Sequence, residues 1–427
     1  VKRIRRGSAF STVFLLWLAS PVTLAQSPES YVPPDATQLI RDAGQYAMPE
    51  VATPYLEKVR VEDEHDRFSL KIGLSVLLDY TSFDQDADSY AQVGNQSDEF
   101  EVRSMRLMAR GHFELFRRWD YQLSYEYKGF ANEPGEPDWS GTDVSIKTDI
   151  GNVGTLKIGK MKEAHVYEMV GDAANLPQSE RFLSPFFTSR NIGVQMSNTM
   201  LGERGTWTVG VFNDWLKSGE SLSSSGTDVV ARVTVLPVWR DDGARFLHVG
   251  ASVRYYGGDD DELRFRGQPA SHVADYYVDS GVVAGDHAVN FGVEGLASVD
   301  QYSLLAEYVT SRVSTQDAPD ATLDGWYLTA SWVVTGDRRP YDRAAGYARR
   351  VMPQGRWGAV ELIARYGLVD LDDGPIAGGT MDGFWLGVNW WGNQRFKAGL
   401  AWGDVDLDRF DRTGNTKTLL SRLQWIF

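Results

Sequence analysis

The chain has 427 residues, with 43 Lys and Arg against 58 Asp and Glu, a formal charge of −15 and no cysteine. That balance argues against a nucleic-acid binder, whose footprint is basic, and the lack of thiols excludes disulfides and thiolate metal sites. Beyond residue 25 no run of 18 or more apolar residues occurs, so no transmembrane helix is expected there.

Residues 1–25 read as a cleaved secretory signal. Lys2, Arg3, Arg5 and Arg6 make a basic start, Phe10 to Leu18 is mostly apolar, and Thr23-Leu24-Ala25 supplies small residues where cleavage would fall. The apolar part is too short to span a membrane comfortably. Residues 26–66 carry Pro28, Pro33, Pro34, Pro49 and Pro54 and no sustained period. They predict a mostly irregular periplasmic leader with one short helix near Thr37 to Tyr46.

From Arg67 onward the chain alternates apolar and polar residues in segments separated by Gly, Asp, Asn and Pro clusters. Sixteen begin near Phe68, Phe100, Trp119, Gly141, Thr155, Arg190, Gly205, Thr227, Arg245, Ala288, Gln301, Leu323, Gly358, Asp382, Gln394 and Thr416. Period-two alternation sends successive side chains to opposite faces of a strand. In the last segment Leu419, Leu423, Trp425 and Phe427 share one face; Thr418, Arg422 and Gln424 share the other, with Leu420 and Ile426 as apolar exceptions. Tyr121, Leu123, Tyr125 and Tyr127 also share a face, as do Leu247, Val249, Ala251, Val253 and Tyr255, and Phe384, Leu386, Val388 and Trp390.

The links alternate in length. Phe116 to Arg118, 151–154, 201–204, 241–244 and Asn393 are short; 84–99, 165–189, 258–287, 314–322, 372–381 and 407–415 are expected to be long. Short turns at one end, long loops at the other and an even strand count define an all-β, 16-stranded antiparallel transmembrane β-barrel of the outer-membrane type. One link, 337–357, is long on the short-turn side. A soluble sandwich or propeller would explain export but not this asymmetry or the aromatic strand ends.

Several runs resemble the phosphate-selective porin family, the O and P type of Gram-negative outer membranes. They are Ile158-Gly159-Lys160-Met161-Lys162-Glu163, FFTSRNIGV at 186–194 and LPVWRDDGARFLHVGASVRY at 236–255. The densest likeness runs from Gly325-Trp326-Tyr327 through Thr335-Gly336-Asp337 and Arg339-Pro340-Tyr341 into Gly358-Ala359-Val360-Glu361-Leu362 and Ala364-Arg365-Tyr366. The long link at 337–357 lies inside that block. The resemblance implies a homotrimer of 16-stranded barrels, each pore constricted by the third long loop, 165–189, and lined by basic residues that pass small anions. Family members often carry Arg-Arg-x-Arg-Leu on the second strand; here Arg103-Ser104-Met105-Arg106-Leu107 puts Ser104 at the second arginine.

Parity places the charges. The faces opposite the lipid carry Arg106, Arg110, Lys128, Lys147, Lys157, Arg232, Arg254, Arg365, Arg395, Lys397 and Arg422, together with Glu114, Glu126, Asp143, Asp149, Glu307 and Glu361. Many remaining acids crowd into expected loops, among them Asp259-Asp260-Asp261-Glu262, a solvated run that could repel or bridge lipopolysaccharide. An acidic exterior can therefore enclose a basic lumen, where low-dielectric walls focus the field of the lining. Arg110 with Glu126 and Arg365 with Glu307 are the ion pairs that would compete with permeant ions. Lys160 and Lys162 match a Gly-Lys-x-Lys-Glu run of the family, although parity points Lys160 at lipid unless a bulge at Gly159 resets it. Arg181 and Arg190 belong to the end of the third loop and are eyelet candidates.

Six histidines accompany neither a nucleophile elbow nor a zinc-binding His-Glu-x-x-His run, and His112 and His248 fit structural hydrogen bonds on lumen faces. No catalytic residue, metal site or cofactor is expected. The sequence reads as a trimeric outer-membrane porin for small anions such as phosphate or polyphosphate. Its partners would be lipopolysaccharide, outer-membrane lipid and two further copies, with no nucleic acid. The alternative is a general or cation-preferring diffusion porin whose family motifs are structural only.

Overall fold

The computed structural model describes residues 60–62, 65–127, 139–213, 226–258 and 261–427. The expected signal, nearly all of the leader with its short helix, and Lys128 lie outside them. Sixteen strands form the barrel: β1 (Phe68–Gln85), β2 (Glu99–Leu115), β3 (Arg117–Tyr127), β4 (Trp139–Asp149), β5 (Thr155–Met161), β6 (Asn191–Met200), β7 (Gly205–Asn213), β8 (Thr227–Arg240), β9 (Arg245–Gly257), β10 (His287–Val299), β11 (Tyr302–Ser314), β12 (Ala321–Val333), β13 (Ala359–Asp373), β14 (Ile376–Trp391), β15 (Phe396–Arg409) and β16 (Arg412–Ile426). Each pairs antiparallel with the next, and β1 pairs with β16 from Ser75 opposite Ile426 to Gln85 opposite Thr416. The sheet is closed. Where β16 ends, Arg60–Glu62 continues the edge by pairing with Ser69–Lys71.

The alternation read from the sequence is the alternation of the wall. On β16 Leu419, Leu423 and Trp425 face outward, while Thr418, Leu420, Arg422, Gln424 and Ile426 are buried inside. Phe384, Leu386, Val388 and Trp390 of β14 are likewise exposed on the outer face. Outward rings stack near strand ends, Tyr125 on Trp139 at 5.4 Å and Trp425 on Phe427 at 5.1 Å. That is where amphipathic rings meet the edge of the hydrocarbon.

Two expected long loops are instead two-residue hairpins. β13 and β14 are joined by Gly374-Pro375, and β15 and β16 by Phe410-Asp411, both at φ 57°. Paired positive φ values give the primed turn whose twist matches a hairpin. The error at 372–381 and 407–415 came from Asp370, Asp372, Asp373, Asp404, Asp406 and Asp408, which look like loop residues. They lie in strands that keep their ladder beyond the apolar band, where the outer face can be wet.

The interior is not an empty tube. Among the described residues three connections fold into it: the third loop (162–190), the segment 261–286, and the link 334–358 that looked anomalous in the sequence. Phe182, Leu183 and Phe186 of the third loop join Phe265, Tyr277 and Val278 of the second segment. They pack on the inward residues Leu296, Leu305, Val309, Tyr327, Val369, Trp385, Val405 and Leu407. One side of the lumen is therefore an apolar core, and the polar side lies along β1 to β5.

Replacing Leu386 with Arg tests the outer face. A cation in the middle of the apolar band is expected to cost about 2–4 kcal/mol, read as a lowered denaturation midpoint in lipid.

Candidate functional site

β1, β2, β3, β16 and the third loop enclose a cavity of about 40 Å³ with a basic lining. Arg103, Arg106, Lys162, Arg181, Arg190 and Arg422 border it, alongside Ser104, Glu126, Asp172 and Glu180. Local backbone geometry explains one member that parity misses. The β1–β2 register slips between Leu77 and Leu78, which pair with Ser104 and Val102, and leaves Arg103 unopposed. Such a bulge re-aims side chains, so Arg103 and Ser104 both turn inward and are buried.

Carboxylates pin most of these cations. Glu180, on the third loop, accepts from Arg103 at 2.7 and 3.0 Å and also from Arg422, which grips Asp79 at 2.5 and 2.7 Å. Two guanidinium groups from the wall thereby hold the loop. Burial raises the Glu180 carboxyl, but Arg103 and Arg422 outweigh it and keep the group well below the usual carboxylate range. Glu168 anchors the other end of the loop: Arg365 donates to it at 2.7 Å, Phe182 N at 2.9 Å and Leu183 N at 3.2 Å.

Around the cavity Arg106 binds Glu126 at 2.8 Å and lies 4.0 Å from Asp172, whose side chain is nearly half exposed (46%). Ser104 donates to the same Glu126. Arg190 donates to Asp143 at 3.0 Å. Lys162 and Arg181 donate to loop carbonyls instead, Lys162 to Gly171 O and Arg181 to Glu168 O, each at 2.7 Å. Enclosure raises the Asp172 carboxyl, yet Lys162, Arg106, Arg181 and Arg190 hold it far down, so it stays ionised. Burial pushes the Lys162 ammonium well below its ordinary value, Arg181 and Arg190 add to the effect, and Asp172 and Asp143 oppose it.

Toward the short-turn side the same wall continues the basic lining. Arg110 sits opposite Lys71, and Lys157 opposite Lys147, which is 3.7 Å from Asp120. Lys71 went unassigned in the sequence although its parity was readable.

Other expected pore cations are elsewhere. Arg232, Arg254 and Arg365 do face inward, but they are enclosed by the apolar side and committed: Arg232 to Glu294 and Gly346 O, Arg254 to Glu163 and Asp228, Arg365 to Glu168 and the face of Tyr327. Arg422 borders the cavity with only 2% of its side chain exposed. Lys397 donates to Leu176 O and Pro177 O. The expected pairs are also exchanged, since Glu126 belongs to Arg106 and Arg365 to Glu168. Lys160 is not brought to the pore. Gly159 adopts φ 125°, yet the β4–β5 register is uninterrupted, and Lys160 pairs with Val144 on the outward face. His112 and His248 make structural bonds, His112 to Ser69 and His248 to Glu294 and Tyr341.

A closed 16-stranded barrel, greasy outside, with a charged interior reached between inward-folded loops, is the architecture of an outer-membrane porin. A family profile described as phosphate-selective porin O and P matches residues 70–427, and the chain belongs to that family. An uncharacterized protein of Caulobacter vibrioides is 24% identical over 261 residues, which is 56% of this chain; the match spans about half (51%) of that relative. Among solved structures, an anion-selective porin from Comamonas acidovorans superposes with TM-score 0.53 at 11% identity, covering 83% of this chain and 100% of that one. The trimer form of OmpT, an outer membrane protein of Vibrio cholerae, gives 0.51 at 10% identity, covering 83% and 99%. At such identities the likeness concerns the fold.

Glu180→Gln removes the shared anchor of Arg103 and Arg422. Breaking a buried pair leaves an uncompensated charge and costs about 3–5 kcal/mol. The third loop is expected to loosen, seen as faster tryptic cleavage after Arg181 and noisier open-channel current.

Proposed function

We propose that this porin is an anion-selective diffusion channel, with phosphate or polyphosphate among its solutes, and that the third loop forms its constriction. The observation that carries the reading is the cavity lining: six cations border it against three carboxylates, and Lys162 donates to the neutral carbonyl of Gly171. Fixed cations in a low-dielectric channel raise the local concentration of anions, whatever the net charge of the molecule. Passage then requires several moderate sites rather than one tight one, and the column from Arg106, Lys162, Arg181 and Arg190 to Lys71, Arg110, Lys147 and Lys157 supplies them. Guanidinium groups suit phosphate oxygens through paired hydrogen bonds. Ser104 in place of a second arginine, and Arg103 held by Glu180, argue for moderate rather than tight phosphate preference.

The working unit in this reading is a homotrimer. Lys160 supports it, because an ammonium on the outward face beside Val144 and Ile158 is better placed in a contact between copies than in hydrocarbon. The mature chain would begin after a cleaved signal at 1–25, open with a periplasmic leader at 26–66, and sit among lipopolysaccharide and outer-membrane lipid.

Reversal potential across a planar bilayer under a salt gradient decides the main point. An anion-selective sign is expected, and a cation-selective sign would replace this reading with a general or cation-preferring porin. Arg106→Ala and Arg110→Ala are each expected to weaken phosphate block of chloride current about threefold to tenfold, the loss of roughly one charge-assisted contact; unchanged block would remove both from the pathway.

Lys162 gives the pathway a pH dependence. Its charge is present at low pH and is lost as pH rises through the depressed value, in a range where an ordinary lysine is still protonated. Anion preference should decline as pH rises toward the ordinary lysine range, earlier than an exposed lysine would lose its charge, and Lys162→Met should flatten the profile.

A further inference from the structure

The link 334–358 leaves β12 on the short-turn side and crosses the interior. Its tip is a small hairpin, Tyr341–Asp342 paired with Tyr347–Ala348. Gly346 at φ 68° fits the tip against the far wall, where a Cβ would lie 2.8 Å from Thr206 Oγ1 and 2.9 Å from Thr234 Oγ1. Arg232 donates to Gly346 O at 2.9 Å, and Arg343 donates to Gly202 O at 2.8 Å and Glu203 O at 3.0 Å. The segment is thus tied at both sides of the barrel.

Along its return it lies against the third loop. Ala348 N donates to Tyr167 Oη at 2.9 Å, Arg350 N to Asn175 Oδ1 at 3.3 Å, and Arg339 to Asn175 O at 2.7 Å. Tyr347 packs by Gly171, the residue before Asp172. Arg349 is held by Asp342 and lies 4.7 Å over the Tyr347 ring, with about 30% of its side chain exposed. Its charge is favoured, against burial, by Tyr347, Asp342 and Asp172. Asp172 is the same carboxylate that Arg106 approaches from the wall.

We propose that Arg349 is a specificity-determining residue of the pore, a cation that the inward link delivers over Tyr347 to the Gly171-Asp172 stretch of the third loop. Asp172 then stands between cations of three origins: the wall, the third loop and the inward link. Arg350 behind it, buried and fastened through its backbone to Asn175, positions the pair. No periodicity could have marked Arg349, because the segment carrying it is irregular and reaches the site only by crossing the barrel.

The inference rests on the anion-channel reading, and the absence of native cysteine makes a clean test possible. Arg349→Cys would be recorded in planar bilayers before and after reaction with methanethiosulfonate reagents carrying an ammonium or a sulfonate. The unreacted variant is expected to lose about threefold in anion-to-cation permeability ratio, the effect of one fixed charge in a focused field. The ammonium adduct should recover it and the sulfonate adduct should lower it further, a charge-dependent pattern that a purely structural role would not produce. A mass-verified adduct with an unmoved reversal potential overturns the inference, and so does a thiol that neither reagent reaches. Wild type without anion preference fails separately, and takes the underlying reading with it. Should Arg349→Cys not assemble, Arg349→Lys and Arg349→Gln serve instead: retained selectivity in Lys and loss in Gln is expected, and equal behaviour of the two overturns it.

Discussion

A peptide group left without a hydrogen-bond partner in hydrocarbon costs several kcal/mol, so a chain that crosses a bilayer as strands must leave no open edge. Here the requirement is met by the ladder between β1 and β16, eleven pairs from Ser75–Ile426 to Gln85–Thr416, extended by Phe427 N donating to Leu74 O at 2.7 Å. Everything else is built on that closure. It gives each residue one of two destinations, lipid or interior, and converts a simple alternation in the sequence into a membrane wall.

Closure also creates an inside that must be furnished. A barrel of this girth would be a wide aqueous tube unless connections folded into it, and among the described residues three of them do. Their apolar side chains meet inward-facing Val, Leu and aromatic residues of β10 to β15, so much of the interior packs as a protein core does. The charged groups are sorted by that packing. Cations that fall within the core must be neutralised, and Arg232, Arg254 and Arg365 each have a buried carboxylate partner at 2.5 to 2.8 Å. Those on β2 and the third loop border the small cavity, where Arg103, Arg106 and Arg190 are also held by carboxylates. Glu168 and Glu180 matter for this sorting because they fix the loop between the two regions, one by the core and one by the cavity.

Strand positions were legible because the side-chain period is short and the barrel has only two faces. Fourteen of the starts near Phe68 through Gln394 fall within two residues or so of the structure; those near Asp382 and Thr416 are late by several residues, since aspartates on β13 to β15 concealed ladders that continue into water. The inward orientation of Arg106, Arg110, Lys147 and Lys157 followed from the same parity. Parity failed at Arg103, where a bulge shifts the count by one, and it correctly placed Lys160 outward while the family motif suggested otherwise. It was also silent on the interior core, because an inward face looks alike whether it borders water or a folded loop.

Residue order alone therefore settled the closed cylinder and its strand count, both consequences of local alternation and of the demand that buried peptide groups pair. Which cations remain accessible was decided only when distant segments met. The contacts that choose between a pore-lining arginine and an enclosed one, such as Arg365 with Glu168 or Arg422 with Glu180, join residues about 200 or more positions apart. No local rule encodes such encounters, because they depend on where the loops come to rest inside the barrel.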